Sequence, residues 1–437
     1  MGSRHARRSR LALALALTAI GPACTSPFRG RPDIVVIVVD ALRKDHLSFH
    51  GYAKETAPFL TWLAARGTVF ENAYSTSAWT APAVASLFTG LYPIQHRVVT
   101  GRWAVKQLKK EGVPMRLNRI PAGAETIAET LRSAGYATFA VVENSNIRPE
   151  LGFDQGFDAF HPLNPSQRAD TITSKLEELR LQITARRPYF LYLHYMDPHE
   201  PYTRNRPFFD RRSTGDAQRI SAYDSEIHHA DSHIRRAFDA FGWAKGTLVL
   251  LTADHGEELG ERGFWGHARS LFGETLNVPL LVHGPGVSAP RRLRDAVSHV
   301  DMLPTLRDVA RAPEGTADAG VSLWPLLEGS AAALPERTLF ADFWQAPEGR
   351  PTPQLKVAMR GGWKRLDGEP GGPYLFHLDA DPLERSNRIA AQPRIAEELK
   401  QARERFEATA RRFEPEYMET IQDEKMNEEL RALGYVD

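Results

Sequence analysis

Cysteine is nearly absent. The 437-residue chain has one, Cys24, so an intramolecular disulfide is excluded and no thiol nucleophile exists in the body of the protein. Net charge is nearly absent as well: 55 basic side chains oppose 54 acidic ones, a formal charge of +1, and nothing in that balance points to a nucleic-acid partner. No internal repeat is visible. The apolar run Leu11–Ile20 is too short to span a bilayer. What remains is the composition of an ordinary globular protein, 42% hydrophobic and 25% charged, long enough for one large domain with an appendage.

Residues 1–23 differ in kind. Arg4, Arg7, Arg8 and Arg10 precede the apolar run and small residues follow it, the order of an export signal. The expectation is an exported protein, periplasmic, membrane-anchored or secreted. Removal of the segment leaves a charge of about −3. "IGPAC" loosely resembles a lipoprotein cleavage box, with Gly21 where an apolar residue is usual. Plain cleavage and lipidation of Cys24 as a membrane tether both stand. Arg7-Arg8 also invites a twin-arginine reading, with Arg10 standing where that signal prefers an apolar residue.

Short runs rich in β-branched and aromatic residues, Ile34–Val39, Thr138–Val142, Tyr189–Tyr195, Leu248–Thr252 and Pro279–Val282, alternate with helical patterns over Ala57–Arg66, Thr126–Ala134, Ala169–Thr184 and Tyr223–Phe241. That alternation predicts an α/β sheet covered on both faces. Four runs end in polar side chains: Asp40, Glu143-Asn144, Asp197 with His199, and Asp254-His255. A buried sheet with its site at the strand carboxyl ends has this pattern. After about Gly329 shorter strands with turns take over, then a charged helix Arg394–Phe413. We read residues 32–329 as a catalytic domain and 330–437 as a small C-terminal α+β subdomain whose tail, Met426–Asp437, docks. Asn205–Ala217 and Gln345–Pro353 read as exposed connections.

Asp40, Asp254 and His255 can supply two or three ligands to a divalent metal. Each alone reads as well as a turn cap or a surface histidine; together, with "TADHGEE" entering a glycine-rich loop, they favour metal. Aspartates with a histidine suit Ca, Mg, Mn or Zn, the histidine tilting the choice toward Mn or Zn. Thr80, before Pro82 and an alanine-rich helix start, reads both as helix N-cap and as a metal-activated nucleophile. Helix-start N–H groups beside it would face a tetrahedral anion. His199 and His267 are candidates for protonating a leaving oxygen, and Arg43 and Arg269 for binding substrate oxygens.

These motifs, "IVVIVVDALRKDHLSFHGY", "FENAYSTSAWTAPAVASLFTGLYP", "FLYLHYMDPHEPY", "LTADHGEELGERGFWGH", "VPLLVHGPG", "VSHVDMLPTL" and the C-terminal "LFHLDADPLERSN", resemble the sulfatases and their relatives in the alkaline phosphatase superfamily, over Pro32–Glu384. The resemblance implies an alkaline-phosphatase-like mixed sheet between helices with a small C-terminal sheet and helix. It implies one divalent metal on Asp40, Asp254 and His255, Thr80 at the nucleophile position, His199 at the leaving group, and His267 where the family usually places a sulfate-binding lysine.

Four positions depart from the family pattern. Threonine stands where sulfatases carry Cys or Ser destined to become formylglycine, and it cannot become that aldehyde, so no formylglycine is expected. Val84 replaces the motif arginine, and Ala41 replaces a second metal-binding aspartate. "ENSN" replaces the Lys-Trp-His segment, which makes Asn144 and Asn146 the candidate substrate contacts. The expectation is a sulfatase-like hydrolase or transferase of phosphate or sulfate esters, phosphodiester types favoured, with a small-molecule, glycan or lipid ester as substrate and no protein partner. Its rival is a weak or inactive relative that binds an anionic glycan or lipid headgroup. The charge lost at Val84 is expected to be replaced by His267 or Arg269.

Overall fold

The apolar runs become the middle of one sheet. In the computed structural model, which describes residues 30–101, 114–164, 168–288, 290–315, 319–344 and 353–421 with 428 and 431, eight strands pair side by side. Their order is Arg291–Ser298, Thr68–Tyr74, Asn277–His283, Thr247–Thr252, Asp33–Val39, Tyr189–Tyr195, Ala137–Val142 and Ala159–Pro162. Asn277–His283 runs antiparallel to both neighbours, and the remaining pairings are parallel. The export-type segment, Cys24, residues 345–352 of one expected connection and most of the tail lie outside the described residues.

The central strands DIVVIVV, YFLYLHY and TLVLLT are buried along their whole length, as a sheet covered on both faces requires. Val36 sits between Tyr192 and Leu250; each such aliphatic side chain contributes about 1.5–3 kcal/mol by leaving water. The helices Pro58–Ala64, Ile127–Ser133, Ala169–Thr184 and Gly215–Phe241 flank the sheet. Thr126 caps its helix reciprocally with Glu129, accepting from Glu129 N at 3.2 Å while Thr126 N donates to Glu129 Oε2 at 2.9 Å.

Three strands of the central sheet and one helix start differ from the sequence reading. Arg291–Ser298 is the edge strand and Thr68–Tyr74 its inner neighbour; their apolar patterns are interrupted where Glu71 pairs with Arg292 and Arg294, and Ala159–Pro162 at the opposite edge is only four residues long. The long helix begins at Gly215 rather than Tyr223. Its first turns are polar and largely exposed, so periodicity cannot reveal them, and the expected connection Asn205–Ala217 is helical at its end.

A second, antiparallel sheet joins Leu339–Phe343, Leu355–Arg360, Trp363–Asp367 and Tyr374–His377 in chain order. Its tightest turn uses Gly361 and Gly362 at φ 57° and 76°, the left-handed pair a two-residue hairpin needs. The helix Pro393–Thr409 covers this sheet, with Phe406 stacked on Phe340 at 4.2 Å. Its Arg403 reaches Asp342 Oδ1 at 2.5 Å. Asp342 N in turn donates to Thr76 O at 2.9 Å, and Ser77 Oγ donates to Asp342 O at 2.8 Å. The small unit is thereby fastened to the loop that leads into Thr80.

His96 anchors the helix Thr80–Thr89 from below. Its Nδ1 accepts from Val98 N at 3.0 Å, so Nε2 carries the proton toward Ser86 Oγ at 3.1 Å. Burial pushes this ring down to about 3. The unfolded chain therefore binds a proton that the native state refuses between its ordinary 6.5 and about 3, and stability falls as pH drops through that window, by about 1.4 kcal/mol per unit. We expect wild type to lose about 2 kcal/mol more than His96→Gln between about pH 7 and about pH 5 in urea unfolding; parallel losses would contradict this assignment.

Candidate active site

Three strands of the central sheet deliver the polar cluster, two of them directly paired and the third separated from them by Tyr189–Tyr195. Asp40 follows Val39, and its N–H continues the pairing by donating to Tyr195 O at 2.9 Å. Asp254 and His255 follow the Thr247–Thr252 strand, and Asn144 follows Ala137–Val142. All four are buried. Asn144 Nδ2 donates to Asp40 Oδ2 at 2.7 Å. Its amide orientation is fixed because Oδ1 accepts from Asn146 N at 2.7 Å. Asn146 thus acts here through its backbone.

Thr80 joins them. Its Oγ1 lies 3.5 Å from Asp40 Oδ2, 3.4 Å from His255 Nε2 and 3.4 Å from Asn144 Nδ2. The N-cap reading needs correction: Thr80 is the first residue of the helix Thr80–Thr89, and the cap position belongs to Trp79, with no side-chain cap bond. The threonine hydroxyl faces the cluster instead of the helix end. Backbone bonds hold the approach in place, Ser75 Oγ donating to Asp254 O at 2.6 Å and Ala268 N to Ala78 O at 3.0 Å.

The donor set fits a divalent cation. His255 Nδ1 lies 2.8 Å from Gly256 O, and a carbonyl only accepts, so the neutral ring turns an Nε2 lone pair inward. That lone pair lies 3.5 Å from Asp40 Oδ1 and 3.4 Å from Asp254 Oδ2. Both carboxylate oxygens are buried and accept no hydrogen bond. Two buried carboxylate oxygens without a hydrogen bond, each within 3.5 Å of one imidazole nitrogen, are what a metal ion satisfies. Burial, then the charge of Asp40, pushes Asp254 up. Burial also opposes ionisation of Asp40, but the His194, His199 and His255 rings hold it well below the ordinary carboxylate range. His255 is raised: burial works against its charge, and Asp254 and Asp40 outweigh burial. Gly256 must be glycine, since a Cβ there would meet Glu274 O at 2.0 Å.

Two residues of this site went unread in the sequence. His194, on the Tyr189–Tyr195 strand opposite Val38, places Nε2 3.1 Å from Asp40 Oδ2. Among the described residues, Asp40, His194 and Asp254 each offer a ligand atom within 4.8 Å of the others. A histidine inside an otherwise apolar strand was the available signal. Glu257, in "TADHGEE", lies 2.9 Å from His267 Nδ1, and burial pushes it up to about 8.

The His267 ring centroid lies 4.5 Å from that of His255 and 4.8 Å from that of His199. His199 turns Nδ1 to Glu200 O at 2.5 Å; burial lowers its pKa, so the ring rests neutral. Arg43 is buried but committed elsewhere, to Asp45 at 2.7 Å, to Glu261 and to Glu257 O at 3.0 Å. Arg269 is exposed, its guanidinium 5.4 Å from the Phe264 ring centre. Val84 is fully buried in the apolar core. Of the two residues expected to replace the missing charge, His267 is the one beside His255. A cavity of about 540 Å³ opens instead between the sheet edge and the C-terminal sheet, lined by Tyr74, Arg294, Arg337 and Trp363 among others; no residue of the cluster lines it.

Known proteins place the chain in a family. The family described as Sulfatase matches residues 32–312. The choline-sulfatase of Rhizobium meliloti is 27% identical, over 84% of this chain and 83% of that protein, and human arylsulfatase A is 27% identical over 85% and 86%. The crystal structure of the phosphonate monoester hydrolase of Agrobacterium radiobacter superposes with a TM-score of 0.69 at 19% identity, over 86% of this chain and 96% of that one. With the family match covering well over half its length and the mixed sheet shared, the chain belongs to the sulfatase family.

Proposed function

We propose that this sulfatase-family hydrolase uses unmodified Thr80 as its nucleophile on phosphate, phosphonate or sulfate esters, with phosphodiester-type substrates favoured and water or an acceptor alcohol completing the reaction. The observation that carries the reading is Thr80 Oγ1 within 3.4–3.5 Å of Asp40, His255 and Asn144. The relatives named choline-sulfatase and arylsulfatase A and the neighbour named phosphonate monoester hydrolase support an ester of tetrahedral sulfur or phosphorus. The export-type segment supports action outside the cytoplasm.

Asp40, Asp254, His255 and Thr80 would hold a divalent cation, which when bound would lower the pKa of the Thr80 hydroxyl and offset the charge of the ester oxygens. The chain supplies the rest. Asn144 and the backbone around Ser75 and Ala78 hold Thr80 Oγ1 in one place, so attack is close to unimolecular. The Thr80 hydroxyl gives up its proton and its oxygen bonds to phosphorus or sulfur as the bond to the leaving oxygen breaks, that oxygen departing as an alcohol with a proton in return. His267, oriented by Glu257, and His199 beside it stand where a proton for that oxygen can be held. A second attack, by water or alcohol, releases the group and returns the hydroxyl to Thr80.

Thr80→Ala is expected to lower turnover roughly 10³-fold or more across aryl phosphodiesters, phosphonate esters and sulfate esters, with the unfolding curve unchanged. Undiminished turnover of every active substrate contradicts the assignment. A wild-type protein that turns over none of them, yet binds an anionic glycan or lipid headgroup, supports the rival non-catalytic reading. Glu257→Gln is expected to reduce kcat roughly 10–100-fold with little change in KM; an effect confined to KM would place Glu257 in substrate binding instead.

A further inference from the structure

Asp40 has two oxygens with opposite surroundings. Oδ1 is buried and accepts no hydrogen bond. Oδ2 is crowded: Asn144 Nδ2 donates to it at 2.7 Å and His194 Nε2 approaches at 3.1 Å. A carboxylate oxygen accepts, so the hydrogen in the 3.1 Å contact resides on His194 Nε2. On the other side of the ring Tyr192 Oη lies 3.0 Å from His194 Nδ1. With the hydrogen on Nε2, Nδ1 accepts from the Tyr192 hydroxyl. Tyr192, His194 and Asp40 then form one buried chain of hydrogen bonds, with both His194 nitrogens occupied.

Position 41 explains what this chain does for the site. Ala41 stands where the family resemblance leads one to expect a second aspartate. Its backbone is spent on neighbours, N–H to Asp254 Oδ1 at 3.2 Å and C=O accepting from Tyr223 Oη at 2.7 Å. The first carboxylate cannot be supplemented from there. If Asp40 could turn freely, it would offer both oxygens to a cation, the mode large oxygen-loving ions use.

We propose that His194, backed by Tyr192, is a positioning residue that locks Asp40 Oδ2 and leaves Oδ1 as its single metal-binding oxygen. The site then has few donors, Asp40 Oδ1, Asp254 Oδ2, His255 Nε2 and Thr80 Oγ1, a set that suits a zinc-like ion better than calcium, which takes six to eight oxygens. The inference rests on the metal-assisted reading of the site and adds its coordination mode and selectivity.

The test uses the purified full chain loaded with Zn²⁺ or Ca²⁺ and reads binding rather than turnover. X-ray absorption of the zinc-loaded wild type is expected to count one imidazole nitrogen, from His255; a count of two makes His194 a ligand and overturns the proposal. By competition titration His194→Ala is expected to shift the Zn²⁺-to-Ca²⁺ affinity ratio at least roughly 10-fold toward calcium. His194→Gln, which keeps a donor to Asp40, is expected to restore most of that ratio. Tyr192→Phe, a milder change that keeps the ring in the core, is expected to move it in the same direction by less. An unchanged ratio in both His194→Ala and Tyr192→Phe overturns the proposal while leaving the Thr80 mechanism standing; a wild type that binds neither ion overturns both.

Discussion

Two carboxylates buried side by side, Asp40 and Asp254, set the terms for everything around them. Each stands just beyond one of two directly paired central strands, so the sheet brings them together whatever the side chains prefer. Leaving two like charges out of water without a counter-charge costs several kcal/mol per ion. The chain answers in part, with Asn144 and His194 on one oxygen of Asp40 and the Ala41 and His255 N–H groups on one oxygen of Asp254. The remaining oxygen of each is left for a cation. Thr80 matters because its hydroxyl lies 3.5 Å from Asp40 Oδ2 and 3.4 Å from His255 Nε2.

The same constraint explains why a small antiparallel unit is fastened to a large sheet. A hydroxyl that must hold its position to within tenths of an ångström needs support on both sides. The loop Thr76–Ala78 receives it from Asp342, itself paired with Arg403, on one side, and from Ala268 and Ser75 on the other. Val84, one turn further along the helix, is core rather than site. The charge usually placed there has no equivalent at that position, and His267 with Glu257 occupies the neighbouring space beside His255.

Much of this was legible in the sequence, for a physical reason. A strand buried on both faces reads as a continuous apolar run, and the first polar residue after it marks the sheet's carboxyl edge; Asp40, Asn144 and Asp254 were found that way. His194 was missed because it sits one residue before the edge, inside the run, where its polarity looks like an exception. Glu257 was missed because a loop acid carries no periodic signal. The edge strand Arg291–Ser298 and its neighbour Thr68–Tyr74 were missed because Glu71 and the arginines that neutralise it break their pattern. Thr80 was read both as cap and as nucleophile; the cap half fails because Trp79 holds that position, while the hydroxyl does lie beside Asp40 and His255.

The account stands or falls on whether Thr80 carries the transferred group. Mass spectrometry of the peptide containing Thr80, taken from protein quenched during turnover of an activated phosphodiester or sulfate ester, tests this most directly. The account predicts a phosphate or sulfate ester on the Thr80 oxygen that disappears once substrate is exhausted. An unmodified Thr80 peptide during steady turnover, with the group found on another residue or released in a single step to water, would contradict it.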